Sequence, residues 1–381
     1  MSNDVRNPAF VFGVSVSGSN FIGREAEIRQ LKMNFEEGIN TVLISPRRWG
    51  KTSLVKRVCE VVDRNRVLPV YLDIFKCKSE YEFYNALAEA VLSQTATRTE
   101  QLLDNAREFL LRLMPKISFS PEPLTEFSLS LGITPHTHSP EEVLQLAQTV
   151  AERRGRRIVV CIDEFQQIGE MDSSVDIQKR LRSVWQHQTM VSYCLFGSKK
   201  HTMMTAFQQR NMPLYQFGDF MYLQKIPTAL WVDYITSHFA RRRRSISAEC
   251  AEAICTAVDN YSSYVQQLAW IVFSLIDEDE TATADHVNRG IELLIDSQEQ
   301  LFMQQIEPLS VYQMNMLRCI VAGHHSGFGE AQLRHEFNLG SASNIARLRT
   351  ALINRDLVEA TGGELHLTDP VFARWFTARR L

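Results

Sequence analysis

Short apolar runs alternate along the chain with longer stretches whose apolar residues recur at helical spacing. Val42–Ile44, Leu68–Ile74, Ile158–Ile162 and Val191–Phe196 are brief and rich in β-branched or aromatic residues. That is the pattern of strands covered on both faces of a parallel sheet. Met221–Ile226 reads as a fifth strand. Helical patterns near 23–37, 51–63, 80–95, 97–114, 141–154 and 174–188 separate the strands, the βαβ rhythm of a layered α/β domain. Residues 117–133 interrupt it and read as a small inserted hairpin. After Ile226 the strand signals stop, and helices are expected near 229–241, 247–259, 263–277 and 283–304. From about residue 308 the order is helix (Val311–Ala322), helix (Glu330–Phe337), turn (Asn338–Gly340) and helix (Ser343–Asp356). Two short strands, Val358–Ala360 and Glu364–Leu367, follow around Thr361-Gly-Gly363. A helix–turn–helix followed by a Gly-Gly hairpin is the layout of a winged helix. The expected domains are thus an N-terminal leader (1–20), an α/β domain (21–226), a helical domain (227–305) and a winged-helix domain (306–381).

Composition narrows the class. At 381 residues the chain exceeds one ordinary core, and 45% apolar with 22% charged residues is globular usage. No apolar run approaches the roughly 20 residues needed to cross a bilayer. The first 20 residues have neither the charge nor the apolar core of a targeting peptide, so a cytoplasmic protein with no membrane partner is expected. A net charge of −3 gives no global attraction to nucleic acid. The seven cysteines stand singly, without metal-ligand spacing, and read as reduced thiols.

Candidate chemistry begins in ISPRRWGKTSL, Ile44 to Leu54. A phosphate loop needs a strand that stops, backbone amides turned inward and a helix whose N-terminus faces the anion. In the pattern G-x-x-x-x-G-K-[ST], Gly50 lets the backbone approach phosphate, Lys51 reaches the β/γ oxygens and the Thr52 hydroxyl binds Mg²⁺. Only the leading glycine is missing, replaced by Ser45. Serine is small and Pro46 fixes φ for the turn, so nucleotide binding is expected to survive. The loop and helix start, Pro46, Arg47, Arg48, Trp49, Gly50, Lys51, Thr52 and Ser53, form the candidate nucleotide cradle. Arg47 and Arg48 could meet phosphate or a partner's surface, and Trp49 could simply pack.

A second motif supports the first. Arg157–Gln166 is an apolar strand ending in adjacent carboxylates. Asp163 would hold Mg²⁺ through its water shell, and Glu164 would polarise the attacking water. The plain alternative for two carboxylates at a strand end is helix capping. Ser198 closes the next strand, where it could feel the γ-phosphate or merely cap the following helix.

With Phe21–Leu31 (FIGREAEIRQL), Pro46–Leu54, Ile162–Gln166 (IDEFQ), Phe196–Ser198 and the closing Leu367–Trp375 (LTDPVFARW), the chain resembles the archaeal-type P-loop ATPases. These lie within the AAA+ and signal-transduction (STAND) ATPase assemblage related to origin-licensing ATPases. The resemblance implies a P-loop parallel sheet, ATP and Mg²⁺ as cofactors, and ATPase activity. It places Phe21, Ile22, Gly23 and Arg24 beside the adenine, makes Ser198 the γ-phosphate sensor and makes 227–305 the lid over the nucleotide. This chain departs from its relatives at Ser45, at Phe217-Gly-Asp-Phe220, where a Gly-Arg pair is common, and at Asn260–Tyr264, where a Gly-x-Pro is common. Without that arginine, hydrolysis would be slow or would draw an arginine from a neighbouring subunit of a homo-oligomer.

In the winged helix, Asn344, Arg347 and Arg349 are residue types that can meet bases or phosphates. Residues 306–381 are nevertheless nearly neutral, so double-stranded DNA and a protein effector both stay open as partners. The Arg241–Arg244 run reads as a solvated helix C-terminus. The expectation is an ATP-dependent switch, with two narrower alternatives: a DNA-associated ATPase in replication, transposition or transcription control, and a signalling or defence ATPase. No nuclease, protease or transferase motif is present.

Overall fold

The computed structural model describes residues 8–96 and 139–380. The helix expected near 97–114 and the hairpin at 117–133 lie outside the described residues. The described residues gather into two compact units, one of residues 24–47, 51–96 and 139–224, the other of 8–23, 48–50 and 225–380.

The first unit runs α1 (Glu25–Glu37), β1 (Thr41–Ile44), α2 (Lys51–Val61), β2 (Val67–Asp73), α3 (Glu80–Thr95), α4 (Pro140–Arg154), β3 (Arg157–Asp163), α5 (Ser174–Trp185), β4 (Val191–Gly197), α6 (Lys200–Gln208) and β5 (Asp219–Tyr222). Its five strands pair in parallel in the order β2-β3-β4-β1-β5. β1 and β4 are buried along their whole length, whereas edge strand β5 is only partly covered. Pro69 sits in β2, the other edge, where a missing N–H breaks no ladder on the open side. Helices start where the sequence supplies caps: Ser79 accepts from the Glu82 amide, and Ser139, followed by Pro140 at the first helical position, accepts from the Glu142 amide.

Two boundaries differ from the sequence reading. The fifth strand was expected at 221–226 but spans 219–222, because its pairing runs from Thr41↔Asp219 to Ile44↔Tyr222 and β1 has no further residues to offer. The first helix was expected from residue 23 but starts at Glu25, since Gly23 and Arg24 both have left-handed φ, 62° and 75°.

The second unit holds α7 (Thr228–Ala240), β6 (Ser245–Ile246), α8 (Ala248–Ala257), α9 (Ser262–Ser274), β7 (Thr281–Ala282), α10 (Ala284–Ile306), α11 (Val311–Val321), α12 (Ala331–Glu336), α13 (Ala342–Asn354), β8 (Val358–Thr361), β9 (Glu364–Leu367) and α14 (Pro370–Arg380). One hydrophobic core runs through it from Trp231 and Phe239 to Phe302, Leu352 and Trp375. Ala9 and Phe10 belong to that core, Phe10 lying edge-on to Tyr234, Phe239 and Phe273. β8 and β9 form an antiparallel hairpin around Gly362-Gly363, both at positive φ as a tight hairpin turn requires. In the Arg241–Arg244 run, Arg241 and Arg243 are exposed, as expected of a solvated helix C-terminus, and Arg242 and Arg244 are half-buried. Arg243 pairs with Glu278 and Asp279, and the Arg244 guanidinium lies 4.1 Å from the Phe273 ring centroid. Among the described residues no helix is long and apolar enough to cross a membrane.

Candidate nucleotide-binding site

Three neighbouring strands of the parallel sheet end side by side. Ile44 of β1 is level with Gly197 of β4, and Ile162 of β3 is level with Leu195 of β4. The residues that follow these strands therefore converge at one edge of the sheet, the place where open α/β sheets gather ligands. They are the loop residues 45–47, the Asp163-Glu164 pair and Ser198.

The loop tolerates serine at its first position. Ser45 does not have positive φ, so no glycine is required there, and its buried hydroxyl turns onto the Pro46 carbonyl at 3.0 Å. Left-handed backbone falls later, at Arg48 (φ 67°) and Gly50 (φ 89°). Lys51 is buried, and its ammonium donates to the Ser45 and Pro46 carbonyls at 3.1 and 2.9 Å. α2 starts at that lysine with no acidic residue in its first turn, while α1, α3 and α4 each carry two. The partial positive charge of its N-terminus is thus left without an acidic side chain of its own, which suits an anion.

Thr52 donates to Asp163 Oδ2 at 2.7 Å, and Tyr71 donates to the same oxygen at 2.8 Å. Asp163 Oδ1 accepts from the Glu164 amide at 2.9 Å. Burial lifts the Asp163 carboxyl above the usual carboxylate range, although the Thr52 and Tyr71 hydrogen bonds pull the other way. Tyr71 went unnoticed in the sequence. It sits level with Cys161 on β2, so the two-residue alternation of strands puts it on the face shared with Asp163.

Glu164 adopts a left-handed conformation, φ 55° and ψ 37°. Its Oε2 accepts from Ser198 Oγ at 2.8 Å and from Gln166 Nε2, and Arg47 Nε reaches Ser198 Oγ at 3.3 Å. Ser198 is therefore not the cap of α6, whose N-cap is Lys199. Lys51, Thr52, Asp163, Glu164, Ser198 and Arg47 all come together within this unit.

Other candidates have different surroundings. Arg24 is buried, pairs with Glu27 at 2.9 Å and donates to the Gln224 carbonyl. Burial lowers its pKa from the usual arginine value. Phe21, Ile22 and Gly23 belong to the other compact unit, as do Arg48, Trp49 and Gly50. There Arg48 pairs with Asp369 at 2.9 Å and lies 4.2 Å from the Tyr264 ring centroid, and Trp49 packs edge-on against Tyr261. In the same unit Asn344 and Arg347 line a hollow of about 390 Å³ with Tyr312, Gly340, Ser341 and Ser343. Arg349 does not line it.

A strand, a glycine-bearing turn and a helix headed by Lys-Thr, facing a strand that ends in Asp-Glu on a 2-3-4-1-5 parallel sheet, define a P-loop nucleoside triphosphatase. Residues 21–205 match the model of a family of ATPase domains found predominantly in Archaea. Among solved structures the fold is similar to the Walker-type ATPase PABY2304 of Pyrococcus abyssi, at 16% identity over 97% of this chain and 100% of that one, with a TM-score of 0.70. It is also similar to the ORC2 protein of Aeropyrum pernix in ADPNP–ADP complexes, at 14% identity over 95% and 97% of the two chains, TM-score 0.55. No curated protein matches the chain.

Proposed function

We propose that this ATPase is a switch in which Pro46–Ser53 hold the phosphates of ATP and the nucleotide's state is read out by the helical and winged-helix regions. The observation that carries the reading is the convergence of Lys51, Thr52, Asp163, Glu164 and Ser198 at the ends of three adjacent strands. Lys51 would exchange its two loop carbonyls for phosphate oxygens. Thr52 and Asp163 already share a hydrogen bond, and both oxygens are hard donors of the kind Mg²⁺ takes. Bound Mg²⁺ would supply charge neutralisation at the transferring phosphoryl group. Glu164 would accept a proton from the attacking water, while Ser198, between Glu164 and Arg47, is placed to sense the γ-phosphate. Phe21–Arg24 remain the proposed adenine neighbours.

A second reading, a DNA-associated ATPase, is favoured by the hollow lined by Asn344 and Arg347, residue types that suit phosphate and base contacts. ATP binding and turnover by wild type, Lys51→Ala and Glu164→Gln, with and without duplex DNA, test both. The expected result is binding lost in Lys51→Ala and ATP retained but not hydrolysed in Glu164→Gln. Absence of binding by wild type would sink the first reading. DNA binding without salt dependence, or none at all, would sink the second.

A further inference from the structure

Gln166 is only 5% exposed, and its amide faces the candidate base. Its Nε2 donates to Glu164 Oε2, the oxygen that Ser198 also holds. A carboxylate accepts only, so the charge on Glu164 fixes which way the amide points. The consequence is an Oε1 left buried with no hydrogen-bond partner among the described residues. Burying an amide oxygen unpaired is unfavourable, and a side chain chosen for packing would not incur it. The surroundings are fitted to this arrangement. A Cβ at Gly197 would overlap Gln166 Oε1, so the last residue of β4 has to lack a side chain for the amide to lie where it does. Glu164 itself is in the left-handed region, which a glutamate seldom adopts and which an external restraint must maintain.

We infer that Gln166 is a positioning residue for ATP hydrolysis: with Ser198 it clamps Glu164 Oε2, so that Oε1, to which nothing among the described residues donates, is presented to the attacking water. The inference rests on the proposed role of Glu164. It also explains why two donors meet on one oxygen. When Ser198 and Arg47 turn to the γ-phosphate, Gln166 is the donor that keeps the carboxylate from swinging away.

The test is steady-state hydrolysis and ATP binding by the full chain carrying Gln166→Met, which keeps the length of the side chain and removes the donor. The expected result is a kcat lowered roughly 10- to 100-fold, part of the 10²–10⁴ that a positioned base supplies, with ATP Kd within about twofold of wild type. The double variant Glu164→Gln with Gln166→Met is expected to be no slower than Glu164→Gln alone, because a residue acting through Glu164 has nothing left to position. A purely structural role would instead raise Kd or multiply the losses. If Gln166→Met does not fold, Gln166→Glu carries the same test: a second carboxylate expels Glu164, and kcat falls with Kd unchanged. Unchanged kcat in the variants, or multiplicative losses in the double variant, overturns the inference while leaving the ATPase reading intact. A wild type without turnover removes both.

Discussion

Thr52 Oγ1 and Asp163 Oδ2, separated by most of the α/β unit in sequence, are 2.7 Å apart, with the Tyr71 hydroxyl on the same oxygen. This contact joins the first turn of α2 to the end of β3. It also holds together the two side chains proposed to meet Mg²⁺.

The buried Asp163 makes the apoprotein sensitive to pH. Its carboxyl is raised chiefly by burial, so its contribution to stability is fully present below the unfolded-state value, about 4, and is lost as pH rises through the folded value. Compared with Asp163→Asn, which does not titrate, the wild type without Mg²⁺ should lose Tm as pH climbs through that window. The two Tm curves should run parallel at higher pH. Curves parallel throughout would remove the linkage.

Ser45→Gly tests whether the loop has lost anything by departing from the glycine pattern. The serine needs no left-handed backbone, and its hydroxyl bonds to the Pro46 carbonyl. The glycine variant should be less stable by about 0.5–1 kcal/mol with ATP affinity within twofold. A tenfold gain in affinity by calorimetry would show that Ser45 does hinder the nucleotide.

Asp369 caps α14 through the Val371 and Phe372 amides at 2.9 and 3.1 Å and also meets Arg48 and the Tyr264 hydroxyl. Asp369→Ala removes all of these and should cost about 2–3 kcal/mol in denaturant unfolding. Asp369→Asn keeps a capping oxygen and should recover part of the loss. Equal midpoints for the two variants would mean that the cap carries no weight.

Thiol labelling should separate the cysteines by burial. Burial pushes Cys77, Cys255 and Cys319 up to about 11, 12 and 11, and lifts Cys161 well above the thiol range. At pH 8 a thiol with a pKa near 11 is roughly 10⁻³ thiolate, and the thiolate is the nucleophile. Alkylation of the native protein should mark Cys59 and Cys250, the two half-buried cysteines, well before the other five. Rapid labelling of Cys255 under native conditions would contradict the packing of the second unit.

The chain order of strands and helices was legible because each strand of the sheet is short, apolar and bounded by a turn or cap, and period alone tells 2 from 3.6. The phosphate loop was legible for the same local reason: strand, turn and Lys-Thr helix start are contiguous. Register was not. Where β5 begins depends on which residues of β1 it can pair with, and that is a property of two segments far apart in sequence. The partners of the site residues were equally invisible. Tyr71 reaches Asp163 only because β2 and β3 align Tyr71 with Cys161. Gln166 meets Glu164 only because β4 ends in a residue without a side chain. Arg48 pairs with Asp369 across almost the whole chain. Sequence by itself thus determined the local devices, which depend on neighbours a few residues apart. The tertiary structure alone decided which of them share an oxygen, because strand order and register bring together residues whose sequence separation carries no signal of contact.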